Sequence, residues 1–325
     1  IIANPSAATT IGQTYTVLTR SSGTFSSEEV AAFISGGRAT IGGDGTSTIT
    51  YTADAPAALT WKGNDGTNPT FWDSATTNWL NGAFPDLFIN ADAVTFDDSA
   101  SSTTVDVQGT VSPGAITVSN SALNFTFQGG AISGGASLVK LGSGALTIAT
   151  TNSLTGATRI DSGSVTLFTL SALGSGPVTN NGTLHLVAPH TGVASYSGVS
   201  AGLSGTGTVN VTLGTGSSTL TLNGTNDTFS GALNIGDGLT GGKVWLNGPL
   251  ASGATVRLLT NAALYMSIAT TQSCPVTLQG GDTGEALGQL RLDSGATWSG
   301  PVTLTGPITT TNDAYLGSFT GVGTV

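Results

Sequence analysis

The sequence contains very few charged residues. Asp, Glu, Lys and Arg make up 8% of its 325 residues, against roughly 25% in ordinary soluble domains. Its eight basic residues form no cluster that could follow a phosphate backbone, and the net charge is −10. No apolar run reaches the roughly 18 to 20 residues that a membrane-spanning helix needs. We therefore expect no nucleic-acid partner and no membrane span in this segment.

Cysteine and histidine are equally scarce. Cys274 is the single cysteine, which excludes an intrachain disulfide, and the two histidines are His185 and His190. His185 lies between two strand leucines, so its side chain should point away from their face. A catalytic centre would need several acids, bases or metal ligands gathered on one face, and no Ser/His/Asp arrangement stands out. The sequence predicts no enzymatic activity and requires no cofactor.

Glycine and β-branched residues dominate what remains. The chain has 48 glycines, and its Val, Ile and Thr runs are punctuated by Gly and Asn, as in proteins made of many short strands. Disorder is the competing interpretation, but the positive mean hydropathy and recurring Leu-x-Leu runs argue against it. The composition predicts an all-β protein.

Three stretches share an apolar alternation, a polar turn, and a large apolar residue followed by Ser or Thr and Gly. They begin at Leu146, Leu220 and Leu290, so the copies are 74 and 70 residues apart. Further strand-like runs fill the gaps, at a period of about 20 to 25 residues, which is typical of a β-solenoid. We therefore predict stacked coils, with Gly and Asn at the corners.

Alternate residues of each coil should point inward and form apolar columns. Thr147, Thr158 and Thr166 are expected to point outward. The predicted solenoid core comprises Leu146, Ile148, Ile160, Leu220, Leu222, Ile235, Leu290, Leu292 and Leu304.

The first third of the chain is less regular. A capping box at 26–29 predicts a short helix over about 27–35, as an insertion or cap near the N-terminus. Composition changes near residue 55. We therefore predict the end of one module over 1–55, an aromatic-rich opening segment over 56–100 and solenoid coils over 101–325, continuing beyond the chain end.

Two small groups are candidate binding residues. Trp61, Trp72 and Trp79 could stack on a glycan or contact a neighbouring module, although so many aromatics in a short segment more often build a local core. Asp65, Asp97 and Asp98 could hold a hard cation such as Ca²⁺ through their oxygens, although ordinary Asx turns would use them equally well.

The end of the chain repeats an internal segment. Residues 319–325 match residues 203–209 at four of seven positions, and the internal segment continues into another strand-like run. We therefore expect the chain to be part of a longer array, with its own start as the next strand. The predicted end-to-end contact comprises Ile1, Ile2, Phe319, Val322 and Val325.

The segment 138–148, continuing through Asn152, 155–158 and 162–163, resembles the autotransporter-associated β-strand repeat, also called the passenger-associated transport repeat. The tryptophan-rich segment 61–79 is similar to the start of repeat-bearing modules in very large bacterial surface proteins, and residues 12–52 are similar to their ends. The resemblance implies a right-handed parallel β-helix, export, an extracellular or cell-surface location and no catalysis in the repeat.

Three functions remain open at the level of the sequence. The first is a structural unit of an extracellular fibre or giant surface protein, stacking head to tail through paired solenoid ends. The partner would be a copy of the same unit, either a separate subunit or a tandem repeat. The second is an adhesin stalk that binds a surface or glycan. The third, a polysaccharide-active enzyme, is disfavoured by the scarcity of ionisable residues.

Overall fold

Short strands make up nearly all of the regular structure. The computed structural model describes residues 14–19, 39–42, 48–53, 56–188, 192–195, 199, 201–213, 218–223, 228–239, 242–281, 288–293, 295–305 and 316–317. The first strands form an antiparallel sheet of their own, in the order β1 (Thr14–Thr19), β3 (Thr48–Ala53) and β2 (Ala39–Gly42). The helix predicted over 27–35 lies outside the described residues.

The remaining strands build an all-β parallel solenoid of about eight turns. A central sheet contains β5 (Phe71–Trp72), β9 (Thr104–Val111), β11 (Phe125–Gly134), β13 (Ala145–Ile148), β16 (Ser164–Leu167), β18 (Thr183–Ala188), β21 (Thr208–Leu213), β23 (Ala232–Ile235), β25 (Thr255–Leu258), β28 (Val276–Leu278) and β31 (Val302–Leu304), with β14 (Ser153–Leu154) beside β11.

Two lateral sheets flank the central one. The first lateral sheet contains β4 (Ala58–Trp61), β6 (Trp79–Asn81), β7 (Phe84–Asp86), β8 (Ala93–Asp97), β10 (Ala115–Ser119), β12 (Leu138–Leu141), β15 (Thr158–Ile160), β17 (Val178–Asn180) and β20 (Leu203–Ser204). The second contains β19 (Gly192–Ser195), β22 (Ser218–Leu222), β24 (Gly242–Leu246), β26 (Ala262–Met266), β29 (Leu290–Leu292) and β32 (Leu316–Gly317). A separate pair joins β27 (Thr271–Gln272) to β30 (Thr297–Trp298).

The strand lengths of the two lateral sheets change in opposite directions along the solenoid. Up to β17, the first lateral sheet provides strands of three to five residues, whereas the side that follows the central sheet carries only the two-residue β14. From β22 to β26 the second lateral sheet provides strands of five residues, and the opposite side shrinks to the two-residue β27. The central sheet is therefore the continuous spine of the fold.

Inward residues of the central sheet stack in register. One column runs through Phe127, Ile148, Leu167, Leu186, Val211, Ile235, Leu258, Leu278 and Leu304. Successive members are 19 to 26 residues apart, close to the predicted period. All but Leu304 are at most 2% exposed, and burying each such side chain contributes about 1.5 to 3 kcal/mol. The predicted solenoid is confirmed, and this column is its principal core.

Glycines at the corner before the central sheet allow the turns to stack closely. Gly163 has φ +69°, and a Cβ there would overlap the carbonyl oxygens of Gly142 and Gly144. In the next turn, a Cβ on Gly182 would lie 2.7 Å from the carbonyl oxygen of Gly163, below the distance that real Cβ atoms adopt. Larger residues at this corner would force adjacent turns apart.

The three sequence copies do not occupy equivalent positions. Leu146 lies in the central sheet, whereas Leu220 and Leu290 lie in the second lateral sheet. The same sequence pattern therefore occurs at two different corners of the solenoid, after the central sheet in the first copy and after the second lateral sheet in the other two. Thr158 also differs from prediction: it is 1% exposed and shares the inward face of its strand with Ile160, because residues two apart on a strand point the same way.

An antiparallel hairpin lies at the start of the first lateral sheet. Strand β4 pairs in parallel with β8 on one side and antiparallel with β6 on the other, and β6 pairs with β7. Residues 58–97 thus already belong to the sheets of the solenoid. The module boundaries at 55 and 100 stay predictions.

Candidate functional site

The predicted aromatic residues form a buried core. Trp61, Trp72 and Trp79 are each 0% exposed. Trp72 contacts Trp79 edge to face at a centroid distance of 5.4 Å, and Phe88 and Phe96 complete the cluster at 5.5 Å from Trp72. Rings enclosed in this way cannot stack on a sugar. All three tryptophans therefore belong to a local core, the second of the two interpretations open from the sequence.

Asn78 and Asp65 organise the loops around this core. The fully buried Asn78 donates from Nδ2 to the carbonyl oxygens of Asn68 and Phe71, both at 2.8 Å, and accepts from the Asp65 amide at 2.8 Å. The Asp65 carboxylate accepts from the amides of Asn68 and Thr67. These bonds lower the pKa of Asp65. Its carboxylate therefore acts as a loop cap here.

The other two candidate metal ligands also accept protein hydrogen bonds. Asp97 Oδ1 accepts from the amide and hydroxyl of Ser99 at 2.8 and 2.6 Å. Asp98 accepts from the amides of Leu123, Ser121 and Ala122 in the following turn, at 2.9 to 3.0 Å, which lowers its pKa. Within the described ranges, no three His, Cys, Asp or Glu residues lie close enough to hold a metal ion.

The predicted core residues lie where the columns require, with one exception. Eight are at most 3% exposed: Leu146, Ile148, Ile160, Leu220, Leu222, Ile235, Leu290 and Leu292. Leu304 is 57% exposed, contrary to the prediction. It stacks on Leu278 on one side, and β31 is the last strand of the central sheet in the described chain. The predicted contact residues Ile1, Ile2, Phe319, Val322 and Val325 lie outside the described residues.

Lys140 is an inward lysine that the sequence interpretation missed. It lies between Val118 and Ile160 on the inward face of the first lateral sheet and is 0% exposed. Its Nζ donates to the carbonyl oxygens of Leu141 at 2.7 Å and Gly142 at 3.0 Å. Burial lowers its pKa to about 8, opposed by the attraction of Asp98. Lys140 lies two residues after the buried Leu138 on the same strand, and this spacing predicts that both side chains point inward.

A polar column follows the outward face of the central sheet. Its members are Thr126, Thr147, Thr166, His185, Asn210, Asn234, Arg257, Thr277 and Thr303. As predicted, His185 points outward between the fully buried Leu184 and Leu186. Asn234 Nδ2 donates to Asn210 Oδ1 at 2.9 Å, and Asn210 Nδ2 lies 3.4 Å from His185 Nδ1. Amides and imidazole therefore form a hydrogen-bonded ladder across three turns.

An open groove of about 660 Å³ runs beside this ladder. It follows the corner between the first lateral and central sheets, and its walls carry the hydroxyls of Ser143, Ser164, Thr183 and Thr208 together with His185. No local sequence pattern predicts this groove, because its lining residues come from four segments between 143 and 208 that only the register brings together.

Neither a family model, a curated protein nor a solved structure matches this chain. Among the described residues, no helix is long and apolar enough to cross a bilayer. The structure establishes a β-solenoid of about eight turns.

Proposed function

We propose that this chain is a structural repeat unit of an extracellular fibre or giant cell-surface protein. Its units stack head to tail by pairing the strand rows at their solenoid ends. The finer assignment, a right-handed module of the autotransporter-associated repeat type, is part of the same proposal and is supported by the segments 138–163 and 61–79. No catalytic role is included.

The main observation in support of the proposal is that the last residue of the main apolar column, Leu304, is exposed. Leu278 is fully buried, and Leu304, its register partner in the next turn, is 57% exposed. Val302 on the same strand is only partly buried. An edge strand with exposed apolar residues is a template for pairing with another strand. A further row of the same kind would cover it.

The hairpin restricts where such a contact would form. Because β6 and β7 already lie beside β4 and the second lateral sheet begins only at β19, we place the contact on the central sheet. Its end strands in the described chain are β5 and β31. A contact between two different ends is heterologous, and its repetition gives an open filament unless the rotation closes. The low content of charged residues supports this arrangement, because stacked identical charges would repel one another.

Sedimentation velocity over a concentration series tests the proposal. The purified chain is expected to form large species as its concentration rises. Leu304→Lys should abolish them, because it places a charge in the apolar contact. Thr303→Lys, the adjacent exposed position on the same strand, is the matched control and should retain them. A wild-type chain that remains monomeric, or two variants that behave alike, would contradict the proposed contact.

Separate subunits and tandem repeats predict the same contact. Denaturing electrophoresis of the native material distinguishes them, since subunits would migrate near the 32.1 kDa of this chain and a tandem protein would be far larger. The adhesin alternative loses its predicted aromatic residues, because Trp61, Trp72 and Trp79 are enclosed.

A further inference from the structure

The groove beside the central sheet has a hydroxyl-rich wall with a single, ion-paired carboxylate. Ser143, Ser164, Thr183 and Thr208 contribute hydroxyls from successive turns, and Asn181 contributes an amide. The one carboxylate in the wall, Asp161, is paired with Arg159 Nη2 at 2.9 Å. No lysine or arginine is among the lining residues. This wall favours a neutral ligand with many hydroxyl groups over an anion or a cation.

The ladder fixes the chemical form of His185. Since Asn234 donates to Asn210 Oδ1, the nitrogen of the Asn210 amide faces His185 Nδ1. An amide nitrogen can only donate, so Nδ1 accepts and a neutral imidazole carries its proton on Nε2. Burial lowers the pKa of His185, which favours this neutral form at pH 7. In this tautomer His185, which lines the groove, has its Nε2–H free of the ladder bond to Asn210.

An exposed aromatic ring lies on the same side of the central sheet. Phe168 directly follows β16 and continues the alternation in which Val165 and Leu167 point inward. Its side chain is 45% exposed, unlike the enclosed aromatic cluster. Phe168 is not among the residues that line the groove, so only a ligand that extends beyond the groove along β16 would reach its ring.

An extended peptide is a poorer candidate for the groove. Peptides that bind sheets commonly add a strand to an exposed edge. Here β16 is already paired with β13 and β18, and β18 with β16 and β21. The backbone of the groove floor is thus occupied, and only side chains and corner groups remain for recognition.

We propose that this groove binds a neutral oligosaccharide along the solenoid axis, with His185 Nε2–H and the hydroxyls of Ser164, Thr183 and Thr208 as hydrogen-bond partners. The site lies within a single chain, so it does not depend on the proposed stacking. An adhesive role for the same protein would follow from it.

Nuclear magnetic resonance of the imidazoles tests the proposal directly, because the sequence has two histidines. In the unliganded protein, long-range ¹H–¹⁵N spectra are expected to show His185 as the neutral Nε2–H form, and Asn210→Ala should lose that preference. The ligands to add are cellohexaose, chitohexaose and maltohexaose, with polygalacturonate as the anionic comparison. At least one neutral hexasaccharide should shift the His185 resonances saturably at millimolar concentration.

Variants then locate the site. Thr183→Val and His185→Asn should each weaken binding about 2- to 10-fold, as expected for one lost hydrogen bond, while Thr277→Val, on the same outward face but beyond the groove, should leave the affinity unchanged. Because His185→Asn lacks the imidazole signals, its ligand affinity is measured from the chemical shifts of the backbone amides that line the groove. Three results would overturn the proposal: no response to any neutral hexasaccharide, tighter binding of polygalacturonate, or equal weakening by Thr277→Val.

Discussion

Replacement of Ile148 by aspartate tests the inward columns of the central sheet. Ile148 is 2% exposed and stacks between Phe127 and Leu167. The substitution removes an apolar side chain from a packed column and places a carboxylate where neither register partner can hydrogen-bond to it. The two effects together should lower the free energy of unfolding by at least about 3 kcal/mol. That is a large share of the roughly 5 to 15 kcal/mol typical of folded domains.

The matched control is the adjacent residue on the same strand. Thr147 lies in the outward column between Thr126 and Thr166, so a carboxylate at this position remains hydrated. Thr147→Asp should change the free energy of unfolding by no more than about 0.5 kcal/mol. Urea unfolding followed by tryptophan fluorescence measures both variants, because Trp61, Trp72, Trp79 and Trp298 are enclosed in the folded chain.

The damage should be local and dependent on pH. In a solenoid each turn contacts only its neighbours, so hydrogen exchange in Ile148→Asp should accelerate most in β11, β13 and β16. Burial raises the pKa of a carboxyl group; the folded state then binds the proton more tightly, and the destabilisation should grow as pH rises from about 4. Equal stability of the two variants at pH 7 would refute the assigned faces.

Three further substitutions test the polar groups and the corners. Lys140 has a folded pKa of about 8 against 10.5, so the unfolded state binds more protons between these values. The contribution of Lys140 to stability should rise by roughly 1 kcal/mol from pH 8 to 9. Cys274, whose pKa is raised to about 11 in the folded state, ionises earlier in the unfolded state and offsets part of this rise over the same range. In Lys140→Met this rise should vanish. Asp98→Ala should lower the urea midpoint at pH 7, and the difference should shrink as pH falls below about 3.8. Gly156→Ala should cost about 1 to 3 kcal/mol, because a Cβ there would overlap the Ala136 carbonyl.

Each of these three substitutions has a control or a result that would contradict its prediction. Gly135→Ala, at the same corner, meets nothing within 4 Å of the added Cβ and should be nearly neutral; equal losses would refute the close-approach argument. A pH 8 to 9 slope that persists in Lys140→Met would assign it to another group. A constant difference for Asp98→Ala between pH 7 and 3 would show that its carboxylate charge is irrelevant to the contact.

The regular part of the fold could be predicted because its cause is local. Alternation in runs such as Leu146-Thr-Ile148 specifies which residues point inward, and stacking repeats that pattern at each turn. The face assignment failed for Thr158 because a threonine was judged by its polarity and not by its spacing from Ile160. Leu304 has the expected pattern, but its burial depends on a neighbouring row, and the alternation within its own strand contains no information about that row.

The candidate binding residues were harder to predict because they depend on register. Tryptophans close in sequence leave both a glycan contact and a local core open, and only the three-dimensional packing shows that all three rings are enclosed. His185, Asn210 and Asn234 each lie between two apolar strand residues. This shared position is the sequence signal that the three side chains form one outward column. Their hydrogen bonds and the neighbouring groove follow only when turns of unequal length, 25 and 24 residues here, are aligned.

Electron microscopy of the native assembly tests the central claim most directly. Stacking of solenoid units through their ends predicts a continuous rod with an axial repeat of roughly 50 Å per chain, given the eleven stacked strands of the central sheet at ~4.8 Å each. Isolated particles at every concentration, or chains joined side by side with their solenoid ends free, would contradict it.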